Sequence, residues 1–536
     1  MMDEQSGRVF GGAEQPNRRD FLKVAGAGAV LLGTGAGLAA CGSASTSTTA
    51  TKQAAGKPKY GGTLRAGVTG GGSTDTLNPF LIDTSPDIAR CFALYEPLTY
   101  TNAAGVDASK LAQEFTANAD ATMWTLRLHP GIEFHDGKSL TADDVIYSLQ
   151  YMANPKTSSI GAAQVTLVDI AGLRKLDPLT VQIPMKSPLS VLPDFLAGNI
   201  FYVVPEGWTP KSPPNGTGPF KYKSFTPGLE SVFVANKNYW GGRPYVDEYV
   251  ITDYASETSQ VNALLAGNVD LVNFLTTDVM DEIQSSSLGA VVVSKTGSWY
   301  PFTMRVDQPP FNDVRVRQAM RLLVDRVEMN NVCQKGLGKI GNDIFSIYDP
   351  AYDHSIPQRV QDIDQAKSLL KAAGHEGLTV TLVTSNIGPT TIQQATVFAQ
   401  QAMAAGVKVN LNNVTSAAFY GSNYLSWTFA QDGWNTHSYL LQASLATIPG
   451  PGAENETHFN NARYNSLFNQ AIRKVSEADR IPLCHEMQMI DYTEGGLIIP
   501  FFETLIDGYA KRVHGVQPCA SGISFNNWDV TGYWLD

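Results

Sequence analysis

The chain has 536 residues, 43% apolar and 10% aromatic, with 48 Gly and 29 Pro, enough for a large core spread over more than one domain and unlike a disordered or fibrous chain. The formal net charge is -11 and no block of five or six like charges occurs, which excludes the basic footprint of a nucleic-acid binder.

The N-terminus reads as an export signal. Asn17-Arg18-Arg19-Asp20-Phe21-Leu22-Lys23 places a twin-arginine pair before a Gly/Ala-rich apolar run, Val24–Ala40, which ends Leu38-Ala39-Ala40-Cys41. Five glycines make that run weakly hydrophobic, and it is short for a membrane span. Arg18 and Arg19 are the expected export determinants, and residues 1–40 the signal peptide. The small residues before Cys41 resemble a lipobox, so that thiol is expected to take diacylglycerol and anchor the chain to a membrane face. Residues 41–59 hold this cysteine and a Ser/Thr/Ala-rich tether (SASTSTTATKQAAGKPK), whose root-mean-square reach is roughly 20–25 Å. The globular body starts at Tyr60. Cys91, Cys333, Cys484 and Cys519 have neither C-x-x-C nor zinc spacing, leaving buried thiols or one or two disulfides as the alternatives.

Within the body, Trp124, Leu126 and Leu128 alternate with Thr125, Arg127 and His129, the period of a half-buried strand. Pro130-Gly131 turns the chain and Ile132–His135 alternates again before Asp136-Gly137, predicting a hairpin with His129 and His135 on opposite sides of its turn. No third ligand stands close, so a scaffold hairpin is expected rather than a metal site. Thr141-Ala-Asp-Asp144 then predicts a capped helix with Val145, Ile146 and Leu149 on its apolar face, stopped at Asn154-Pro155. Ser256 caps a helix carrying Val261, Leu264 and Leu265, closed by Gly267 and followed by a strand over Val269–Phe274. Between Asn312 and Gln334, Val316, Ala319, Met320, Leu323, Val324 and Val327 fall at helical spacing. Helix, glycine and strand recur after Asp364, which makes the class α/β, with sheets covered by helices. No second apolar stretch long enough to span a membrane and no internal repeat occurs.

Gly336-Leu-Gly-Lys-Ile-Gly341 matches G-x-G-x-x-G, but it follows a helix rather than a strand, so a helix-terminating loop is expected and no dinucleotide cofactor. The P-loop, H-E-x-x-H and G-x-S-x-G motifs are absent, and no catalytic residue is nominated.

The stretch WTLRLHPGIEFHDGKSLTADDVIYSLQYM, from Trp124 to Met152, resembles the hallmark segment of the peptide/nickel class (family 5) of extracytoplasmic solute-binding proteins, the receptors of ABC importers. Further ordered matches run along nearly the whole mature chain: Tyr60-Gly-Gly-Thr-Leu64, Leu77-Asn-Pro79, Glu96-Pro-Leu98, Gly216-Thr-Gly-Pro-Phe220, Asn238-Tyr-Trp240, Ala263–Asp270, Pro310–Ala319 and Ile499-Pro500. The resemblance implies a bilobal fold of the type II periplasmic-binding-protein kind. Lobe I would comprise residues 60–302, with an inserted subdomain at about 97–214, and a return over 508–536; lobe II would be 303–507. Two strands near 303 and 507 would form the hinge, and solute would be enclosed between the lobes.

By the same resemblance, the ligand-binding residues are Asp83, Trp299, Tyr300, Trp427, Trp434 and His437. His437 closes Gly433-Trp-Asn-Thr-His, where the oligopeptide and dipeptide receptors carry an Asp that pairs with the peptide's ammonium group. A neutral imidazole lacks that fixed charge, which puts free peptide N-termini in doubt and permits a hydroxylated ligand, an anion if the ring is protonated, or a chelate. The implied protein is a non-enzymatic, cofactor-free monomer outside the cytoplasm. Its partners would be a small polar solute, an ABC permease with its ATPase, and a membrane through the lipid anchor. The competing readings are a cell-surface hydrolase and a solute sensor without transport.

Overall fold

The computed structural model describes residues 56–82, 84–197, 201–450 and 453–536. The predicted export signal with Arg18 and Arg19, the lipidation site Cys41, most of the tether, and Asp83 lie outside the described residues.

A seven-stranded mixed sheet organises lobe I. Its order is Gly289–Lys295, Thr504–Ala510, Leu271–Val272, Thr63–Thr69, Glu248–Tyr254, Glu230–Ala235 and Phe220–Thr226. Thr63–Thr69 runs parallel to both neighbours, which a chain can do only through long crossovers. One of those crossovers contains an antiparallel four-stranded sheet, ordered Ala112–Ala117, Met123–Leu128, Thr180–Pro184 and Arg174–Asp177: the inserted subdomain. A five-stranded sheet organises lobe II: Lys408–Val414, Thr379–Ser385, Phe429–Gln431, Phe302–Met304 and Leu497–Ile498.

Local chemistry accounts for the helices flanking these sheets. Ala142–Ala153 begins with a capping box in which Asp144 reaches back to the Thr141 amide at 2.8 Å, and it ends at Asn154 because Pro155 cannot continue it. Glu257–Leu265 is capped by Ser256, and Gly267 leaves it at φ +74°. The periodic stretch from Asn312 is two helices, Val314–Leu322 and Arg326–Gln334. Asp325 breaks it by accepting from the Glu328 amide at 2.9 Å, which turns Val327 out to solvent at 59% exposure. The glycine run behaves as a terminator: Gly336 sits at φ +75°, and Gly338 and Gly341 let Lys339–Ile340 lie against Phe501–Phe502 with no room for a side chain.

The expected hairpin is differently built. Met123–Leu128 pairs with Ala112–Ala117 and Thr180–Pro184, not with Ile132–His135, which makes its own tight turn through a Glu133–Ser139 bridge. His135 Nε2 lies 3.0 Å from the Gly218 carbonyl, and burial pushes its pKa down to about 4. His129 stacks on Trp240 with centroids 5.6 Å apart. Both histidines are scaffold parts here. Cys91, Cys333, Cys484 and Cys519 are free buried thiols, which resolves the alternatives left by their spacing.

Two strands cross between the lobes. Thr303 pairs inside the lobe II sheet. Asp507 pairs with Val292 inside the lobe I sheet, so the return crossing lies N-terminal to 507, at 499–503. There the Thr296 amide donates to the Glu503 carbonyl at 3.1 Å and the Glu503 amide to that of Ser298 at 2.7 Å. The return strand is anchored on lobe II by Asp343, which accepts from the Ile499 amide at 2.9 Å and pairs with Arg326 at 2.7 Å and Arg359 at 2.8 Å. Away from the hinge the lobes also meet where the Ser190 amide donates to the Ile472 carbonyl at 2.6 Å.

Candidate functional site

The hinge strands lead into a ladder of aromatic rings. Trp299 and Trp434 exchange both backbone hydrogen bonds at 3.0 Å and stack at 6.3 Å and 19°. Trp299 continues onto Phe345 at 5.8 Å, and Phe345 onto Tyr439 at 5.0 Å. Aromatic faces supply broad contact area with few rotatable bonds, so such a ladder is a stiff wall.

Two cavities flank it. One, of about 180 Å³, lies between the lobes at the hinge, with Phe274 and Ile506 on the lobe I side, Tyr420 and Trp434 on the lobe II side, and Tyr300 and Glu503 on the crossing strands. The other, of about 250 Å³, lies between the inserted subdomain (Asp107, Asp194) and lobe II (Asp349, Tyr439, Arg480). The segment from Gly433 to Leu440 serves both: Gly433, Trp434 and Asn435 line the first, and Ser438, Tyr439 and Leu440 the second.

The predicted residues distribute unevenly over this arrangement. Tyr300 and Trp434 line the hinge cavity. Tyr300 packs so tightly on Gly388 and Gly433 that a methyl group at either would collide with its ring. Trp434 lends one edge to the cavity while its Nε1 donates to Glu456 Oε1 at 3.0 Å. Trp299 is 1% exposed and forms the layer behind. His437 falls along the chain between residues lining the two cavities and itself lines neither. Burial pushes its ring down to about 4, so it is neutral at physiological pH and offers no protonated contact to an anion. Trp427 stacks on Phe419 at 6.3 Å, donates to its carbonyl at 3.2 Å, and stands apart from both cavities.

Sequence reasoning missed the carboxyl groups. Glu503 projects from the return strand into lobe II, where Thr390 Oγ1 donates to it at 2.9 Å, Gln394 Nε2 at 2.8 Å, and Gln334 Nε2 to its second oxygen. Burial pushes its pKa up to about 8 against these three neutral donors. Behind Tyr420 and Trp434 sits a second pair: Tyr420 Oη donates to Asp432 Oδ1 at 2.7 Å, while burial, then the Asp432 carboxylate, push Glu456 well up. A carboxylate inside the apolar run Leu497–Ile506 was the one signal in sequence for Glu503, since such residues are almost never buried without a reason. Asp432 and Glu456, 24 positions apart, gave none.

The family pattern described as bacterial extracellular solute-binding proteins, family 5 Middle, matches residues 108–455. The periplasmic oligopeptide-binding protein OppA of Salmonella typhimurium is 24% identical over 461 residues, covering 77% of this chain and 82% of the relative. The ABC transporter substrate-binding protein CtaP of Listeria monocytogenes superposes with a TM-score of 0.78 at 20% identity, covering 89% of this chain and 100% of that one. The binding protein AgaA of A. tumefaciens R10, solved with agropinic acid, gives 0.75 at 22%, covering 89% and 99%. These structures share the bilobal fold.

Proposed function

We propose a specific role for a chain that belongs to the bacterial extracellular solute-binding proteins of family 5: it holds a small polar solute in the cavity at its hinge and passes it to an ABC importer. The observation that carries this reading is a cavity of about 180 Å³ walled by both lobes where the two strands cross. A solute there touches lobe I, lobe II and the hinge together, so its contacts are complete only when the lobes are closed. That difference in contact is what lets binding drive closure, because a ligand that binds open and closed states equally shifts nothing. Members of the family are receptors rather than enzymes, and no group of three or more metal-ligating side chains occurs among the described residues.

The cavity is smaller and less open-ended than a long peptide requires. OppA is named for oligopeptides, whereas AgaA was solved with agropinic acid, so this fold accommodates compact ligands. The neutral, half-buried His437 lacks the fixed negative charge that the resemblance gives the peptide receptors at that place, which favours a compact solute over a free peptide N-terminus. Tyr300 and Trp434 are the proposed contact residues, with Trp299 behind them and His437 in the same segment as Trp434. Asp83 and Trp427 are assigned contacts by resemblance alone.

Export through Arg18 and Arg19 and anchoring through a lipidated Cys41 complete the proposal: a monomeric receptor tethered outside the cytoplasm beside its permease. Among the described residues no helix is long and apolar enough to cross a membrane. Native mass spectrometry of the purified chain, followed by small-angle scattering with the released solute, tests the reading. A solute that co-purifies and shrinks the radius of gyration on re-addition supports it; a chain that no solute compacts refutes it.

A further inference from the structure

The hinge cavity is built of aromatic rings, hydroxyls and one acid, and no lysine, arginine or histidine lines it. Its acid, Glu503, is 7% exposed and meets only neutral donors: Thr390, Gln394 and Gln334. Among the described residues it has no ion-pair partner, and burial keeps it a neutral acid until a countercharge arrives. Asp432 and Glu456 stand behind Tyr420 and Trp434 and are hydrogen-bonded to each other, which, after burial and the Asp432 charge, pushes Glu456 well up. Two hydroxyls belonging to residues of the cavity wall are unsatisfied: Ser298 Oγ and Thr504 Oγ1, the latter residue 8% exposed. A native interior leaves few polar groups unpaired, and such groups beside a cavity are the ones a ligand or ordered solvent completes.

We infer that the solute carries a positive charge, an ammonium or guanidinium group, and that Glu503 on the return hinge strand reads it, with the hydroxyls of Ser298 and Thr504 as its hydrogen-bond partners. The rings of Tyr300, Tyr420 and Trp434 then flank the rest of the solute, where an aromatic face also favours a cation. This assignment rests on the receptor reading above and moves charge recognition away from position 437 to the hinge itself. Because Glu503 lies on one of only two strands joining the lobes, neutralising it acts directly on the element that moves.

The assignment brings a proton with it. Glu503 keeps its proton to about pH 8 and must release it to pair with a cation. The other titratable groups facing it are Tyr300, Cys333 and, across an adjoining small cavity, Asp278; burial holds the first two in their neutral forms. Cation affinity therefore rises by up to about tenfold per pH unit on the approach to pH 8.

The test is calorimetric titration of the purified full chain with 2-phenylethylammonium and two isosteres, neutral 2-phenylethanol and anionic phenylacetate. Binding of the ammonium at least about tenfold tighter than either isostere, rising with pH and made independent of pH by Glu503→Gln, is the expected result. Thr504→Val, which leaves the carboxyl in place, should weaken the ammonium about fivefold and keeps the proposal testable if Glu503→Gln disturbs the fold. Equal or tighter binding of an isostere, a response indifferent to both variants, or no binding of the ammonium at millimolar concentration overturns the assignment. Scattering separates the two readings. Compaction of the chain by a neutral or anionic solute removes the cation and leaves the receptor standing, whereas the absence of compaction by any solute removes both.

Discussion

Replacing Glu503 by Gln removes the only ionisable group among the side chains lining the hinge cavity other than tyrosine, and its effect on stability depends on pH in a way the structure fixes. Unfolded, the carboxyl loses its proton near its ordinary value of 4.5; folded, burial holds the proton to about pH 8. Between those limits the unfolded chain binds fewer protons than the folded one, so stability falls as pH rises through the window and levels off above it. The displacement is worth about 5 kcal/mol at 1.36 kcal/mol per unit, an upper figure because relaxation and water entry around an ionised carboxyl recover part of it. A glutamine has no proton to lose. The stability of Glu503→Gln relative to the unsubstituted chain should therefore rise by about 2–4 kcal/mol between pH 5 and pH 8.5. Losing the hydrogen bond to Gln334 shifts that difference equally at both pH values and drops out. So does the opposite behaviour of His135 and His437, both pushed down to about 4, which lose stability below pH 6.5 in either chain. Urea unfolding at the two pH values, with no solute present, measures the quantity. Parallel curves for the two chains would mean that Glu503 is ionised and solvated in the folded protein, and the charge argument for the cavity would go with it.

Trp434→Ala removes the end of the aromatic ladder and leaves Glu456 without its indole donor, so calorimetry should show solute affinity at least about tenfold weaker; unchanged affinity removes Trp434 from the site. Asp343→Asn strips the countercharge from Arg326 and Arg359 at the anchor of the return strand and should lower unfolding free energy by about 3–5 kcal/mol in denaturant titrations, where a loss under 1 kcal/mol would show the network to be dispensable. His437→Asp places a carboxylate in a half-buried position; if the ring borders the solute, the variant's thermal-shift profile should move toward amine-bearing compounds, and an unaltered profile excludes contact. Cys41→Ser should release the protein from membranes into the soluble fraction, and persistent membrane association on fractionation contradicts lipid anchoring there.

The parts of the fold that were legible in the sequence are those decided within a few residues. The Thr141–Asp144 capping box, the Ser256 cap and the Gly267 terminator each rest on hydrogen bonds or dihedrals local to their own turn, and each stands where the pattern puts it. The same locality explains the errors. Apolar spacing from Asn312 to Gln334 stays near helical phase across a break that one aspartate side chain imposes, and period alone does not register a cap in mid-stretch. The supposed hairpin failed because alternation identifies a strand without naming its partner, and Met123–Leu128 finds one of its partners more than 50 residues away.

The site divides along the same line. Position 437 drew attention because a motif beside it could be compared with other receptors, yet the features that shape the cavity's charge have no motif. Glu503 is informative only once Thr390, Gln394 and Gln334 are seen to be its whole company. Ser298 and Thr504 are ordinary hydroxyl residues until packing leaves their oxygens unpaired beside a cavity. In a receptor the chemistry lies in what the folded chain leaves unsatisfied, and an unsatisfied group is defined by the absence of neighbours, which no spacing along a sequence can encode. The hinge concentrates such groups because its strands must serve two lobes at once: the backbone of 296–298 and 503 is committed to the crossing, and the hydroxyls of Ser298 and Thr504 are left without partners beside the cavity.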